Sequence, residues 1–359
     1  MEKLIAVLPG DGIGSEIVSE AKKVLLAIGQ RFSHKFNFSE GIIGAHAIDV
    51  CGDPFPNETL DLCMRSDAVL FGAIGDPKYD NNPKAIIRPE QGLLKMRQEL
   101  GLYANLRPVV AIPSLIQKSP LKKYLIEDVD FMVVRELTGG IYFGEPRGRS
   151  ENGEKAFDSC VYTKDEVERV ARKAFEFARN RNKKLTAVDK ANVLATSRLW
   201  RETIQELHSE YQDVELEFMF VDNAAMQIIQ NPKQFDVMVT ENMFGDILTD
   251  EASVITGSIG LLPSASIGVH TSVYEPIHGS FPLAAGQNIA NPIATILSAA
   301  MMLEYSFNMH EEADAIKKAV EKSLEQEIVT KDLSTAKYYN TNEIGDFICN
   351  QILEKELSV

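Results

Sequence analysis

Apolar positions along the chain fall into two patterns. Short apolar runs at 4–8, 68–71, 131–135, 185–189, 217–221 and 237–240 are bounded by turn or charge signals and predict strands. Between them, apolar residues recur every three to four positions. This spacing predicts helices over 16–27, 164–181, 196–211, 246–256, 292–305 and 311–326. In 164–181 the stripe is Val167, Val170, Ala171, Ala174, Phe175 and Ala178. Alternating strands and helices imply an α/β protein with a largely parallel sheet. Residues 142–157 break the alternation: they are polar and turn-rich, with Asn152-Gly153 as a hairpin signal. A two-stranded hairpin is marginal by itself, so this arm is expected to pack on a second subunit.

The 359 residues suggest about two domains. Lysine and arginine total 37 against 52 aspartates and glutamates, a net charge of −15. That balance argues against nucleic acid or a membrane surface as partner. The cysteines at 51, 63, 160 and 349 form no Cys-x-x-Cys pair, which suits reduced thiols in the cytoplasm. The first residues lack the long apolar core of a signal peptide. The longest apolar stretch, 289–303, is interrupted by Asn291 and Pro292 and is too short to span a bilayer. A cytoplasmic protein is expected.

The first strand runs into Gly10-Asp11-Gly12-Ile13-Gly14. A dinucleotide fingerprint, G-x-G-x-x-G, would need glycine at position 15, where Ser15 stands, and an acidic residue about 20 positions on. Glu40 comes later than that, and no Gly-Lys-Ser/Thr follows. A ligand-contacting loop and a plain strand-to-helix turn are equal readings of this stretch.

Three arginines, Arg97, Arg107 and Arg135, sit near strand ends or in helix-like stretches. Guanidinium forks bind carboxylates two-pronged, so several of them converging would hold a dicarboxylate; separately they would simply pair at the surface. Asp246 and Asp250 are four apart, which on a helix puts both on one face. Adjacent like charges repel unless something positive lies between them. Mg²⁺ or Mn²⁺ would serve, with Asp222 as a third ligand; a solvated helix face is the alternative. Tyr142, beyond a Gly-Gly pair, and Lys190, after the 185–189 strand, are proton-transfer candidates. Either would equally suit a structural role.

Together these stretches resemble the metal-dependent β-decarboxylating isocitrate/isopropylmalate dehydrogenase family. The resemblance runs from Leu8 to about Tyr305. It is carried by the blocks at 104–108, 135–148, 188–194, 242–250, 260–265 and 275–280. It implies a fold of two α/β domains that is not a Rossmann fold, with an intersubunit β-arm and the active site in the cleft. The first domain would be discontinuous, 1–102 with 257–359, and would carry most of the cofactor site. The second, 103–256, would carry the dimer interface, the arm and the metal aspartates.

The resemblance also implies roles. Arg97, Arg107 and Arg135 would clamp substrate carboxylates. Asp246 and Asp250 would hold Mg²⁺ or Mn²⁺, with Asp222 and Lys190 contributed by the second subunit of a homodimer. Lys190 would take the hydroxyl proton through water, and Tyr142 would protonate the enol carbon. Ile13, Glu275, His278, Gly279, Ser280 and Asn291 would contact the nicotinamide cofactor. In Glu90-Gln91-Gly92-Leu93-Leu94, which is similar to the isopropylmalate branch, Glu90 belongs to the substrate-binding stretch, and Leu93 and Leu94 would form an apolar wall for the isopropyl group. Burying an unpaired third carboxylate against leucines is costly, so 3-isopropylmalate is expected over isocitrate. The family's NAD pattern has aspartate where Leu283 stands and a small residue where Phe281 stands. The lysine and tyrosine of its NADP pattern are absent at Leu283 and Ala284. With no cation there for a 2′-phosphate, NAD is the expected cofactor.

Overall fold

A computed structural model describes residues 1–82 and 85–354; the end of the expected segment 257–359 lies outside them. The strands, in chain order, are β1 (Glu2–Gly10), β2 (Lys35–Glu40), β3 (Ala68–Ala73), β4 (Leu102–Val110), β5 (Asp130–Glu136), β6 (Arg147–Arg149), β7 (Ala156–Asp158), β8 (Lys184–Asp189), β9 (Glu215–Phe220), β10 (Val237–Thr240), β11 (Pro263–Gly268) and β12 (Val273–Pro276). The chain divides into two compact units, Met1–Gly101 with Ser258–Val359, and Leu102–Gly257.

In the first unit the strands lie in the order β2-β1-β3-β12-β11. All pairs are parallel except β11 with β12. Residues 5–8 of β1 and 68–71 of β3 are buried without interruption, as continuous apolar runs in parallel strands are. The helix Gly14–Phe32 packs against Thr341–Leu353 and Ile293–Tyr305. Ten of the thirteen residues of Ile293–Tyr305 are buried. It is apolar all round because it is a core helix, not a surface one.

The second unit has the order β4-β5-β10-β8-β9. Only β4, against β5, is antiparallel. Phe131, Val133, Val188, Met238, Leu248 and Ala252 belong to its core. Lys164–Arg179 buries the apolar stripe read from its spacing and starts with a capping box between Thr163 and Glu166. The arm is an exposed hairpin in which Arg147 pairs with Asp158 and Arg149 with Ala156. Gly153 turns it at φ +71°.

Two boundary differences matter for function. The helix expected from 246 begins at Asn242, because the Glu241 side chain accepts the Phe244 amide proton at 2.9 Å and caps it. The strand expected over 217–221 ends at Phe220. Asp222 therefore sits in the first turn of the helix Val221–Gln230, not in a loop.

Candidate active site

The functional groups of the second unit are set by strand register. Arg135, next to last in β5, pairs with Thr240 of β10, and the Asn242–Thr256 helix follows immediately. That helix therefore starts beside the arginine. A Cβ on Gly245 would lie 2.7 Å from Arg135 Cγ, so glycine permits the approach. The Arg135 side chain is 2% exposed. Its Nε and Nη2 donate to Asn242 Oδ1 at 3.2 and 2.8 Å, and its Nη1 donates to Asp246 Oδ1. Tyr142 donates its hydroxyl to the other oxygen of Asp246 at 3.0 Å.

Arg107 completes the cluster from β4. It donates to Asn105 Oδ1 at 2.6 Å and Thr249 Oγ1 at 2.5 Å. It also lies 3.7 Å from Asp246 and 3.9 Å from Asp250. Two carboxylates one helical turn apart are thus offset by two buried guanidinium groups. Burial raises the Asp250 carboxyl above its ordinary range, and Asp246 adds to this while Arg107 opposes it. Burial, then the Asp246 charge, raises the Tyr142 phenol. Tyr142 therefore keeps its proton at neutral pH.

Asp246 and Asp250 offer oxygen donors only, and their side chains are 40% and 62% exposed. An open, all-carboxylate donor set suits a hard divalent cation that keeps positions for outside oxygens. Among the described residues no group of three His, Cys, Asp or Glu side chains that could hold a metal forms within the chain. Asp222 is instead 2.8 Å from Lys190 Nζ. That hydrogen bond holds the Asp222 carboxyl below the usual carboxylate range.

In the first unit Arg97 lies on the helix Pro89–Glu99, 7% exposed and 3.9 Å from Glu275. Gly92 lets this helix close onto Pro54, whose carbonyl oxygen lies 2.4 Å from where a Cβ would stand. On the same helix Leu93 and Leu94 are half-buried and Glu90 is exposed.

The glycine turn is a packing joint. A Cβ on Gly12 (φ +58°) would lie 2.0 Å from the Ser280 carbonyl oxygen, and one on Gly10 (φ +71°) 1.9 Å from that of Ala73. Ile13, itself buried, donates its amide proton to the Ser280 carbonyl at 2.8 Å. The Ser280 hydroxyl donates to Gly75 at 2.7 Å. Asp11, buried below, accepts from the amides of Ala45, His46 and Gly75. The turn thus anchors the loop that follows β12.

Along that loop, a Cβ on Gly279 would meet nothing within 4 Å. Burial holds the His278 imidazole below its usual range and so uncharged. Asn291 accepts from the Ile293 amide at 3.0 Å and donates to Asp332 at 3.1 Å. Open backbone with neutral polar side chains suits the ring edges and sugars of a nucleotide. Leu283 is 82% exposed.

Residues 4–348 match the isocitrate/isopropylmalate dehydrogenase family. The chain belongs to that family. A 3-isopropylmalate dehydrogenase of Geobacillus kaustophilus is 59% identical over 355 residues, covering 98% of this chain and 95% of the relative. One from Bacillus caldotenax is 61% identical over 311 residues, covering 86% of this chain and 84% of the relative. The crystal structure of an isocitrate dehydrogenase from Methylococcus capsulatus superposes with a TM-score of 0.87. It is 34% identical and the match covers 98% of this chain and 100% of that one.

Three residues of this family member's site escaped sequence reasoning: Asn105, Asn242 and Thr249. All three are buried to within 1% and bond a site arginine. A signal for two of them was present. Asn105 precedes Arg107 by two on a strand, hence on the same face, and Asn242 precedes Asp246 by one helical turn.

Proposed function

We propose that this chain catalyses oxidative decarboxylation of (2R,3S)-3-isopropylmalate to 4-methyl-2-oxopentanoate with reduction of NAD, a step of leucine biosynthesis. The observation that carries the reading is the joining of Arg135, Asp246 and Tyr142. A carboxylate-binding fork, a cation-type carboxylate and a protonated phenol are bonded to one another.

Arg97, Arg107 and Arg135 hold the two substrate carboxylates. Leu93 and Leu94 face the isopropyl group, with Glu90 at the edge of that stretch. Asp246, Asp250 and the partner subunit's Asp222 would hold Mg²⁺ or Mn²⁺, which would supply Lewis acidity toward the substrate hydroxyl and toward the charge that develops on loss of CO₂. The partner subunit's Lys190 removes the hydroxyl proton through water. NAD, bound by Ile13, Glu275, His278, Gly279, Ser280 and Asn291, would accept the hydride from the carbon that bears that hydroxyl. Tyr142 then gives its proton to the carbon that lost CO₂. In this reading the first unit carries most of the cofactor groups, and the second carries the metal aspartates, the arm and the dimer interface. The enzyme works as a cytoplasmic homodimer; a net charge of −15 speaks against a nucleic-acid partner. Among the described residues no helix is long and apolar enough to cross a membrane.

Initial rates of cofactor reduction test the reading, with Mg²⁺ and either 3-isopropylmalate or isocitrate, each with NAD and with NADP. Turnover of 3-isopropylmalate with NAD is expected. Turnover of isocitrate alone would contradict the role of Leu93 and Leu94.

A further inference from the structure

Asn242 holds together the segments that carry Arg135 and Tyr142. It is fully buried at the start of the Asn242–Thr256 helix. Its Oδ1 accepts both Nε and Nη2 of Arg135, at 3.2 and 2.8 Å. Its Nδ2 donates to the Gly139 carbonyl at 3.2 Å. The amide orientation follows from its partners, since a guanidinium only donates and a carbonyl only accepts. Its backbone amide donates to the Tyr162 hydroxyl at 3.0 Å, and that hydroxyl donates to Glu241, the helix cap, at 3.2 Å.

These bonds close a ring. From Asn242 it passes to Arg135, to Asp246 and to Tyr142. It then returns through the turn Gly140–Tyr142 to Gly139 and Asn242. The turn has no slack on its other side. A Cβ on Gly139 or Gly140 would come within 2.6 or 2.4 Å of the Tyr162 side chain. The Arg135 guanidinium has three nitrogens; Asn242 takes two and so aims the third at Asp246. The Gly139 bond sets where the turn begins, and hence where the Tyr142 hydroxyl ends.

Resting on the function proposed above, we propose that Asn242 is a positioning residue for that reaction. It orients Arg135 for the substrate carboxylate and, through Gly139, the Tyr142 hydroxyl for proton delivery, without touching substrate itself. The block 242–250 begins with it, but the sequence reading gave it no role.

The two amide atoms do different jobs, so two substitutions separate them. Asn242→Asp keeps an acceptor for Arg135 and sets an oxygen against the Gly139 carbonyl. It is expected to lower kcat at least about 10-fold while KM for 3-isopropylmalate changes little. Asn242→Ala removes both links and is expected to raise that KM by a similar factor as well, with KM for NAD within about two-fold. The decisive comparison repeats Asn242→Asp on a Tyr142→Phe background. If Asn242 acts through the tyrosine, most of the kcat loss vanishes there, because the group it positions is gone. A full, additive loss in the double variant would overturn the proposal. So would a matched rise of both KM values in Asn242→Asp. Failure of the unsubstituted enzyme to turn over 3-isopropylmalate would instead refute the function reading, which keeps the two outcomes apart. If Asn242→Ala does not fold, the isosteric Asn242→Asp and its double variant still decide the matter.

Discussion

Arg135 and Asp246 are bonded to each other although they stand 111 positions apart in sequence, one on a strand and one on a helix. The arginine side chain is 2% exposed and the aspartate side chain 40%. The arginine is therefore fixed in the protein while the carboxylate faces outward. A buried fork shared between Asn242 and Asp246 is not replaceable by a point charge. Arg135→Lys is expected to lower kcat/KM for 3-isopropylmalate on the order of 100-fold, chiefly through KM. Steady-state kinetics checks this; a change below about three-fold would remove Arg135 from substrate binding.

Asp250 is the more exposed of the helix pair, and its nearest cation, Arg107, is 3.9 Å away. If the pair holds a divalent cation, Asp250→Asn weakens it by removing a charged ligand. The Mg²⁺ concentration for half-maximal activity is expected to rise beyond the ~10–100-fold that loss of an outer-shell partner costs. Titration of activity against Mg²⁺ measures it. An unchanged Mg²⁺ requirement would mean that Asp250 is only a solvated helix residue.

Leu283 stands 82% exposed in the middle of the single turn Pro282–Ala284. An apolar side chain there offers nothing to a ribose hydroxyl. Leu283→Asp is expected to lower KM for NAD by about 10-fold, the low end of what one hydrogen bond to a charged group is worth. A raised or constant KM would show that the sugar is held elsewhere.

Glu20 is 5% exposed, beside Lys23 at 2.6 Å, and a Cβ on Gly345 would lie 1.9 Å from its carboxylate. Burial raises its carboxyl above the ordinary value of 4.5, although Lys23 opposes the shift. A raised folded-state pKa means that the neutral form fits the fold better. Its contribution is fully present below the unfolded value and is lost as pH rises through the folded value. Glu20→Gln, neutral at every pH, should thus gain on the native enzyme as pH rises. Thermal unfolding compared at pH 4 and pH 8 checks it. A Tm difference favouring glutamine more at pH 4 would reverse the sign.

Much of the fold was legible because period and burial agree. The stripe in Lys164–Arg179 and the apolar run of β10 appear in the structure as read. Strand β4 was not legible: Asn105, Arg107 and Pro108 interrupt its apolar pattern, and the first two are buried for the site rather than for the core. Helix starts were missed where the cap is a glutamate, as at Glu241. Among site residues, charge made Arg107, Arg135, Asp246 and Asp250 visible. Neutral partners such as Asn242 and Thr249 carry no such mark, and only three-dimensional contact reveals what they hold.

Product analysis tests the central claim most directly. The purified enzyme would be incubated with 3-isopropylmalate, NAD and Mg²⁺, and 4-methyl-2-oxopentanoate, CO₂ and NADH quantified together. Equal amounts of all three are expected, because in the proposed reaction oxidation, loss of CO₂ and reprotonation each occur once per turnover. NADH formed without CO₂, or no NADH from this substrate at all, would contradict the account.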